Sequence, residues 1–188
     1  MWRLNATLSA DMGWAIILLP DDDARRRAEA VWRAVRDAGF PSGLFEGDNQ
    51  PHLSLSVLST QDGALAQAAE RFAAEQAPVS AYFNEVGQFD HSVIYLSPQP
   101  QGALLAMNRA LTALLGGLQA LADPLYLPGL FTPHMTVAFK LLPEDERAAL
   151  AAVRRSFLPF RATFAEVALV KFNPVKIVQR FALMGKTL

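Results

Sequence analysis

The chain of 188 residues carries 17 Lys and Arg against 18 Asp and Glu, so it lacks the basic excess typical of proteins that grip long duplex nucleic acid. Hydrophobic residues make up 52% and charged residues 19%, which predicts a full core and argues against disorder. The sequence holds no cysteine, which excludes disulfides, thiolate metal sites and cysteine nucleophiles.

The first half of the sequence predicts the order strand, helix, strand, helix, strand. A continuous apolar run stopped by Pro20 is typical of a buried strand, and the acidic residues after it favour a capped helix that ends near Gly39. The predicted elements are strand Trp14–Pro20, helix Asp21–Ala38, strand His52–Leu58, helix Gln61–Gln76 and strand Val79–Val86.

The second half predicts nearly the same unit again, with one strand added at its end. Its predicted elements are strand Ser92–Leu96, helix Gly102–Leu115, a proline-rich loop Ala122–Pro133, strand His134–Phe139, a helix after Pro143, and strands Arg161–Phe172 and Val175–Met184. Because no linker separates the halves, residues 1–188 are expected to form a single bilobal domain.

Targeting and membrane signals are not apparent. Residues 1–12 lack the basic-then-apolar pattern of a signal peptide, and the apolar run from Trp14 to Pro20 is too short to cross a bilayer. We therefore expect a soluble, cytoplasmic protein without a membrane partner.

A short motif occurs once in each half. Pro51–Val57 aligns with Pro133–Phe139, and both segments have the order proline, histidine, apolar, hydroxyl, apolar, small, apolar. The two histidines, at positions 52 and 134, are 82 positions apart. One such peptide is a weak signal, but two copies in duplicated surroundings are a much stronger one.

Strand geometry gives the motif its meaning, because successive side chains point to opposite faces of a sheet. His52 and Ser54 should share one face, and His134 and Thr136 should do the same in the second copy. The opposite, apolar faces should be formed by Leu53, Leu55 and Val57 and by Met135, Val137 and Phe139. Since polar faces are costly to bury alone, we expect the two to line a common wet cleft.

Two imidazoles and two hydroxyls around one site suit phosphoryl transfer. Histidine titrates near neutrality, so His52 and His134 could act as general acid and general base, in an order that the sequence leaves open. Ser54 and Thr136 could donate hydrogen bonds to the non-bridging phosphate oxygens.

The doubled His-apolar-Ser/Thr-apolar motif resembles the two-histidine (2H) phosphoesterase superfamily, especially the bacterial 2′-5′ RNA ligase-like proteins and cyclic phosphodiesterases. The resemblance covers essentially the whole chain. It implies catalytic roles for His52 and His134 and phosphate binding by Ser54 and Thr136, with no metal or other cofactor. It also implies an α+β, bilobal, pseudo-two-fold fold, in which two antiparallel sheets line a central cleft and the helices lie outside.

Other residues are candidates for contacting the substrate. Phe131 is favoured for stacking on a base because it lies three residues before His134, and Tyr126 and Lys140 also fall near the second motif. Phe89 is a weaker candidate of the same kind. His91 has no partner in the repeat, so a structural role is favoured over a three-histidine metal site.

The substrate predicted from these features is a small nucleotide-like or RNA-end phosphodiester, above all a 2′,3′-cyclic phosphate that is hydrolysed without a metal. Two alternatives stay open. The same cleft could bind a nucleotide without turnover, or it could serve 2′-5′ RNA ligation or RNA-end processing.

Overall fold

The computed structural model describes residues 13–40, 43–45, 47–59, 63–89, 92–172 and 174–185. The strands and helices in these ranges follow the predicted order. They are β1 Trp14–Pro20, α1 Asp22–Asp37, β2 Leu53–Leu58, α2 Ala64–Glu75, β3 Val79–Phe89, β4 Val93–Pro98, α3 Gly102–Leu115, β5 Met135–Ala138, α4 Glu146–Ser156, β6 Phe160–Lys171 and β7 Lys176–Ala182. Short 3-10 turns occupy Gly43–Phe45, Gly116–Leu121 and Pro124–Tyr126.

All strand pairs are antiparallel, which confirms the predicted α+β class. The strand order is β2-β1-β6-β3-β4-β5, with β7 also paired to β6. The two expected sheets are joined into one seven-stranded sheet, because β6 is long enough to pair with a strand of each. Its residues from Phe164 to Lys171 pair with β1, and those from Phe160 to Phe164 pair with β3.

The β3–β6 pair marks the centre of the duplication. Ala81 lies opposite Ala162 in this pair, a spacing of 81 positions that nearly equals the spacing of the two motif histidines. Because an antiparallel pair has a local two-fold axis, the unit β1-α1-β2-α2-β3 is related to β4-α3-β5-α4-β6 by an axis near these alanines. Each half gives its last strand to the other, since β6 lies beside β1 and β3 beside β4.

The helices cover one face of the sheet, where α1 packs against α4 and α2 against α3. The largest fully buried side chains of this main core include Phe72, Phe83 and Phe164. Burial of one such side chain contributes about 1.5–3 kcal/mol. The opposite face of the sheet, called here the motif face, carries a second and smaller apolar cluster, formed by Ala15, Ile17, Leu19, Val57, Ala168 and Val170.

The placement of Val57 in that smaller cluster differs from the strict alternation predicted for β2. Ser56 pairs with Ile16 and Ser54 with Ile17, so Leu55 is an extra residue on β2. Such a one-residue bulge reverses the faces that follow it. Leu58 therefore joins Leu53 and Leu55 in the main core, and Val57 turns to the motif face.

The same irregularity occurs in the second motif strand. Thr136 pairs with Tyr95 and Ala138 with Ile94, so Val137 is the extra residue of β5. The two bulges thus follow the two motif hydroxyls at equivalent positions. Their repetition indicates that the bulge belongs to the architecture of the site.

Among the described residues, one helical stretch, Gly102–Leu121, has the length and apolar composition of a membrane span. Its α3 portion buries Leu104, Leu111 and Leu115 in the main core and ends at Gly116, which has a φ of 53°. This burial along one side is the packing expected of an amphipathic helix that covers a core.

Candidate active site

The topology brings the two motifs together. β2 and β5 are the end strands of the sheet, yet Cα atoms of the two strands approach within 8 Å of each other. His52 directly precedes β2 and His134 directly precedes β5. Burial is the main cause of the lowered pKa of His134, and the charge of His52 adds a smaller lowering effect.

Each imidazole is held by the same local contact. His52 Nδ1 lies 2.7 Å from the carbonyl oxygen of Gln50, and His134 Nδ1 lies 2.7 Å from that of Thr132. A carbonyl oxygen can only accept, so Nδ1 carries the hydrogen and donates it. The lone pair of each neutral ring is therefore on Nε2.

The proline in each motif accounts for this contact. Pro51 and Pro133 lie between the histidine and its acceptor, and both are buried. Proline fixes its own φ and biases the preceding residue toward an extended conformation. The carbonyl two residues before the histidine is thereby held where the ring can reach it.

The surroundings favour neutral imidazoles. Burial lowers the pKa of His134 to about 4, against a smaller opposing effect of the Thr132 carbonyl. Burial also lowers the pKa of His52. The lowered pKa values therefore favour the neutral form of both rings near neutral pH.

The two motif hydroxyls lie on the motif face with different neighbours. Ser54 is buried, pairs with Ile17 across the sheet, and lies close enough to the Tyr126 hydroxyl to influence its pKa. Thr136 is half-buried and pairs with Tyr95. Burial raises the pKa of Tyr126 to about 12, with a further contribution from the charge of Asp123, so its phenol stays protonated.

An aromatic cluster stands beside the second motif. Phe89 and Tyr95 stack with ring centroids 4.2 Å apart, and their centroids lie 4.9 and 5.2 Å from that of His134. Gly87 lies opposite Tyr95, and a Cβ at Gly87 would overlap the Tyr95 ring. The glycine therefore makes room for the ring, a recognised reason for glycine within a strand.

Tyr95 is a site residue that the sequence reasoning does not identify. An isolated glycine in a strand pattern signals a bulge or a close approach, but only the pairing of β3 with β4 reveals that Tyr95 is the group that approaches Gly87.

The remaining candidates fall in different places. Tyr126 is half-buried beside Ser54. Phe131 is 6% exposed in the main core, with its ring centroid 6.1 Å from that of Tyr126, so it has little free surface for stacking on a base. Lys140 is exposed just after β5, and its Nζ lies 5.4 Å from the centroid of the Phe139 ring.

His91 lies outside the described residues. Within the described ranges, no group of three or more His, Cys, Asp or Glu side chains is placed to hold a metal ion.

A duplicated antiparallel fold with one histidine and one hydroxyl from each half defines a two-histidine phosphoesterase-type site. A family model described as the 2′-5′ RNA ligase superfamily matches residues 20–175. The chain belongs to this superfamily, whose members are phosphoesterases and ligases, and the suspected two-histidine class is confirmed. No curated protein matches the chain in sequence.

Solved structures share the fold over nearly the whole chain. TT0787 of Thermus thermophilus has a TM-score of 0.66 and 19% identity, and the match covers 94% of this chain and 100% of that one. E. coli LigT complexed with NADP+ has a TM-score of 0.62 and 20% identity, covering 92% and 98%. E. coli LigT complexed with 3′-AMP has a TM-score of 0.60 and 15% identity, covering 92% and 97%.

Proposed function

We propose that the protein is a metal-independent phosphodiesterase that hydrolyses a 2′,3′-cyclic phosphate, or a similar small cyclic nucleotide or RNA-end phosphodiester. The observation that carries this proposal is the pair of equivalent imidazoles. Each has Nδ1 at 2.7 Å from a carbonyl oxygen, which leaves the lone pair of Nε2 for a substrate.

The reaction uses the two Nε2 atoms on opposite sides of phosphorus. One neutral imidazole takes a proton from water as the water oxygen bonds to phosphorus, and the other, as imidazolium, gives its Nε2 proton to the departing ribose oxygen. The product is a phosphomonoester with one free hydroxyl. Each of these proton transfers typically contributes about 10²–10⁴-fold to the rate.

The substrate itself supplies the condition for this division of roles. Both imidazoles have lowered pKa values in the free protein, so neither readily holds the proton that an acid needs. A bound phosphodiester anion stabilises an adjacent imidazolium and raises its pKa. The bound anion therefore favours the state of the site in which one histidine is protonated and the other is neutral.

The hydroxyl groups and the aromatic cluster complete the proposed site. Ser54 and Thr136 lie on the motif face, where their hydroxyls can donate to the non-bridging oxygens as charge accumulates there. Phe89 and Tyr95 lie beside His134 and offer a surface on which a base can stack. LigT has been crystallised with 3′-AMP, NADP+ and ATP, which supports a nucleotide-derived substrate here.

RNA-end joining is the second candidate, because the family is described as the 2′-5′ RNA ligase superfamily. The nucleophile that attacks the cyclic phosphate would then be a ribose hydroxyl in place of water. The same two imidazoles would act as general base and general acid. With a net charge of −1 the chain is poorly suited to gripping a long RNA, which favours hydrolysis of a small substrate.

The test is turnover of the four 2′,3′-cyclic nucleoside monophosphates in excess EDTA by the unaltered protein and by His52→Ala, His134→Ala and His91→Ala. We expect chelator-resistant hydrolysis that falls about 10²–10⁴-fold in each motif variant and persists in His91→Ala, the third-histidine control. Full activity in either motif variant would contradict the mechanism. Saturable nucleotide binding without any turnover would favour the binding-module alternative.

A further inference from the structure

We propose that Trp32 and Asn108 are positioning residues that brace the two motif strands against each other, an inference that rests on the proposed function. The proposed reaction takes its acid and its base from different halves of the chain. The separation of the two imidazoles therefore depends on how β2 is held relative to β5. Small errors in such placement are costly, since a displacement of about 1 Å can reduce a rate about 10²-fold.

Neither motif strand is enclosed by strands on both sides. β2 and β5 terminate the sheet, so each has one strand neighbour among the described residues. Each also has a bulge directly after its hydroxyl residue, where ladder hydrogen bonding is interrupted. Buried backbone carbonyls at such places need another donor.

Buried side chains from two equivalent helices supply those donors. Trp32 of α1 is 2% exposed, and its Nε1 donates to the Thr136 carbonyl at 3.0 Å. Asn108 of α3 is 1% exposed, and its Nδ2 donates to the Leu55 carbonyl at 3.0 Å. The bonds are crossed, because the first-half helix holds the second motif strand and the second-half helix holds the first.

Asn108 makes a further bond on the first-motif side. Its Nδ2 also donates to the Tyr126 carbonyl at 2.8 Å. One amide therefore ties the bulge after Ser54 to the loop that carries Tyr126. This arrangement holds the backbone beside Ser54 and the backbone of Tyr126 relative to each other.

The tryptophan bond can be tested with a matched pair. Trp32→Phe removes the indole N–H that bonds Thr136 and keeps an aromatic ring. Trp14→Phe is the control, because Trp14 also packs against the main core and its buried Nε1 has no hydrogen-bond partner among the described residues. For the asparagine bonds, Asn108→Leu is compared with Thr112→Val, which loses a buried bond to the Asn108 carbonyl within α3.

The assay uses a cyclic nucleotide that the unaltered protein hydrolyses. We expect Trp32→Phe and Asn108→Leu to lower kcat about 10- to 100-fold, with KM changed by less than about threefold. The two controls should keep kcat within about threefold of the unaltered protein. Equal kcat losses in Trp32→Phe and Trp14→Phe would overturn the brace, whatever happens to Asn108→Leu.

A substrate-free measurement separates failure of the brace from failure of the proposed function. Ring ¹⁵N chemical shifts of the histidines report the surroundings of His52 and His134 without turnover. We expect Trp32→Phe, and not Trp14→Phe, to move the His134 ring signals. If no cyclic nucleotide is hydrolysed, the proposed function fails, and unchanged His134 signals in Trp32→Phe would then also refute the brace.

Discussion

The Nδ1 atom of His134 lies 2.7 Å from the Thr132 carbonyl oxygen, yet burial lowers the pKa of this histidine to about 4. The contact orients the ring without making it a strong base. We expect a site of this kind to hold two neutral imidazoles and to take up a proton when an anion binds. The consequences can be measured before any substrate is known.

Stability should fall in mild acid. Between the ordinary histidine pKa of 6.5 and about 4, the unfolded chain binds a proton at position 134 that the folded protein does not bind. The free energy of unfolding should therefore decrease as the pH falls through this window, by at most about 3 kcal/mol from this residue. His52, whose pKa is also lowered, acts in the same direction.

Urea unfolding at pH 7.5 and 4.5 measures this decrease, with His134→Gln as the variant that cannot titrate. We expect a smaller loss of stability in the variant than in the unaltered protein. Parallel losses in the two proteins would show that the His134 ring is not desolvated as described.

Anion binding should be coupled to proton uptake. A sulfate dianion in the site stabilises the imidazolium forms, so its affinity should rise as the pH falls from 7 toward 5. Sulfate is a suitable probe because its own charge is constant over this range. Calorimetry in buffers of different ionisation enthalpy measures the protons taken up, and His52→Ala with His134→Ala should abolish the uptake. Binding that is independent of pH would rule out the histidines as its site.

The hydroxyl groups of Ser54 and Tyr126 should contribute unequally to turnover. Ser54→Ala removes a proposed donor to phosphate, and we expect kcat/KM to fall about 10- to 100-fold. Tyr126→Phe removes only a hydroxyl that lies beside Ser54, so the fall in kcat/KM should be smaller. Steady-state kinetics of the two variants shows which loses more kcat/KM. Thr136→Val is measured beside them as the second-motif counterpart. A larger effect of Tyr126→Phe than of Ser54→Ala would place the tyrosine, and not the serine, on the substrate.

The sequence predicts the site where the signal is local. A period of two over His52 to Ser54, repeated at His134 to Thr136, is enough to predict which side chains share a face. The prediction from this period is wrong at Val57, because the bulge at Leu55 is set by pairing with β1. Tyr95, Trp32 and Asn108 are missed for the same reason. Their contacts with Thr136 and Leu55 join segments that are distant in sequence, and no local pattern encodes such a contact.

Asp21 should stabilise the fold at the start of α1. Its Oδ1 accepts from the amides of Asp23 and Ala24 at 3.0 Å, and its Oδ2 accepts from the Thr163 amide at 2.6 Å. Asp21→Ala removes the helix cap and a link to β6, and we expect a loss of about 1–3 kcal/mol in unfolding free energy. Asp22→Ala, which removes an exposed ion pair with Arg25, is the control and should cost less than about 1 kcal/mol. Equal midpoints in urea for the two variants would contradict the capping role.

Gly87 should control the aromatic cluster. Gly87→Ala places a methyl group where it overlaps the Tyr95 ring, which is stacked on Phe89 and therefore cannot turn aside freely. We expect a loss of about 1–3 kcal/mol in unfolding free energy from overpacking and a higher KM for cyclic nucleotides as the ring leaves His134. Gly117→Ala is the matched control, because a Cβ there meets nothing within 4 Å.

The double variant Gly87→Ala with Tyr95→Val separates the two effects of the methyl group. Removing the ring relieves the overlap, so stability should recover toward that of Tyr95→Val alone, while KM stays high because the stacking surface is gone. Recovery of KM together with stability would mean that Tyr95 serves only as packing. The base would then be recognised elsewhere on the motif face.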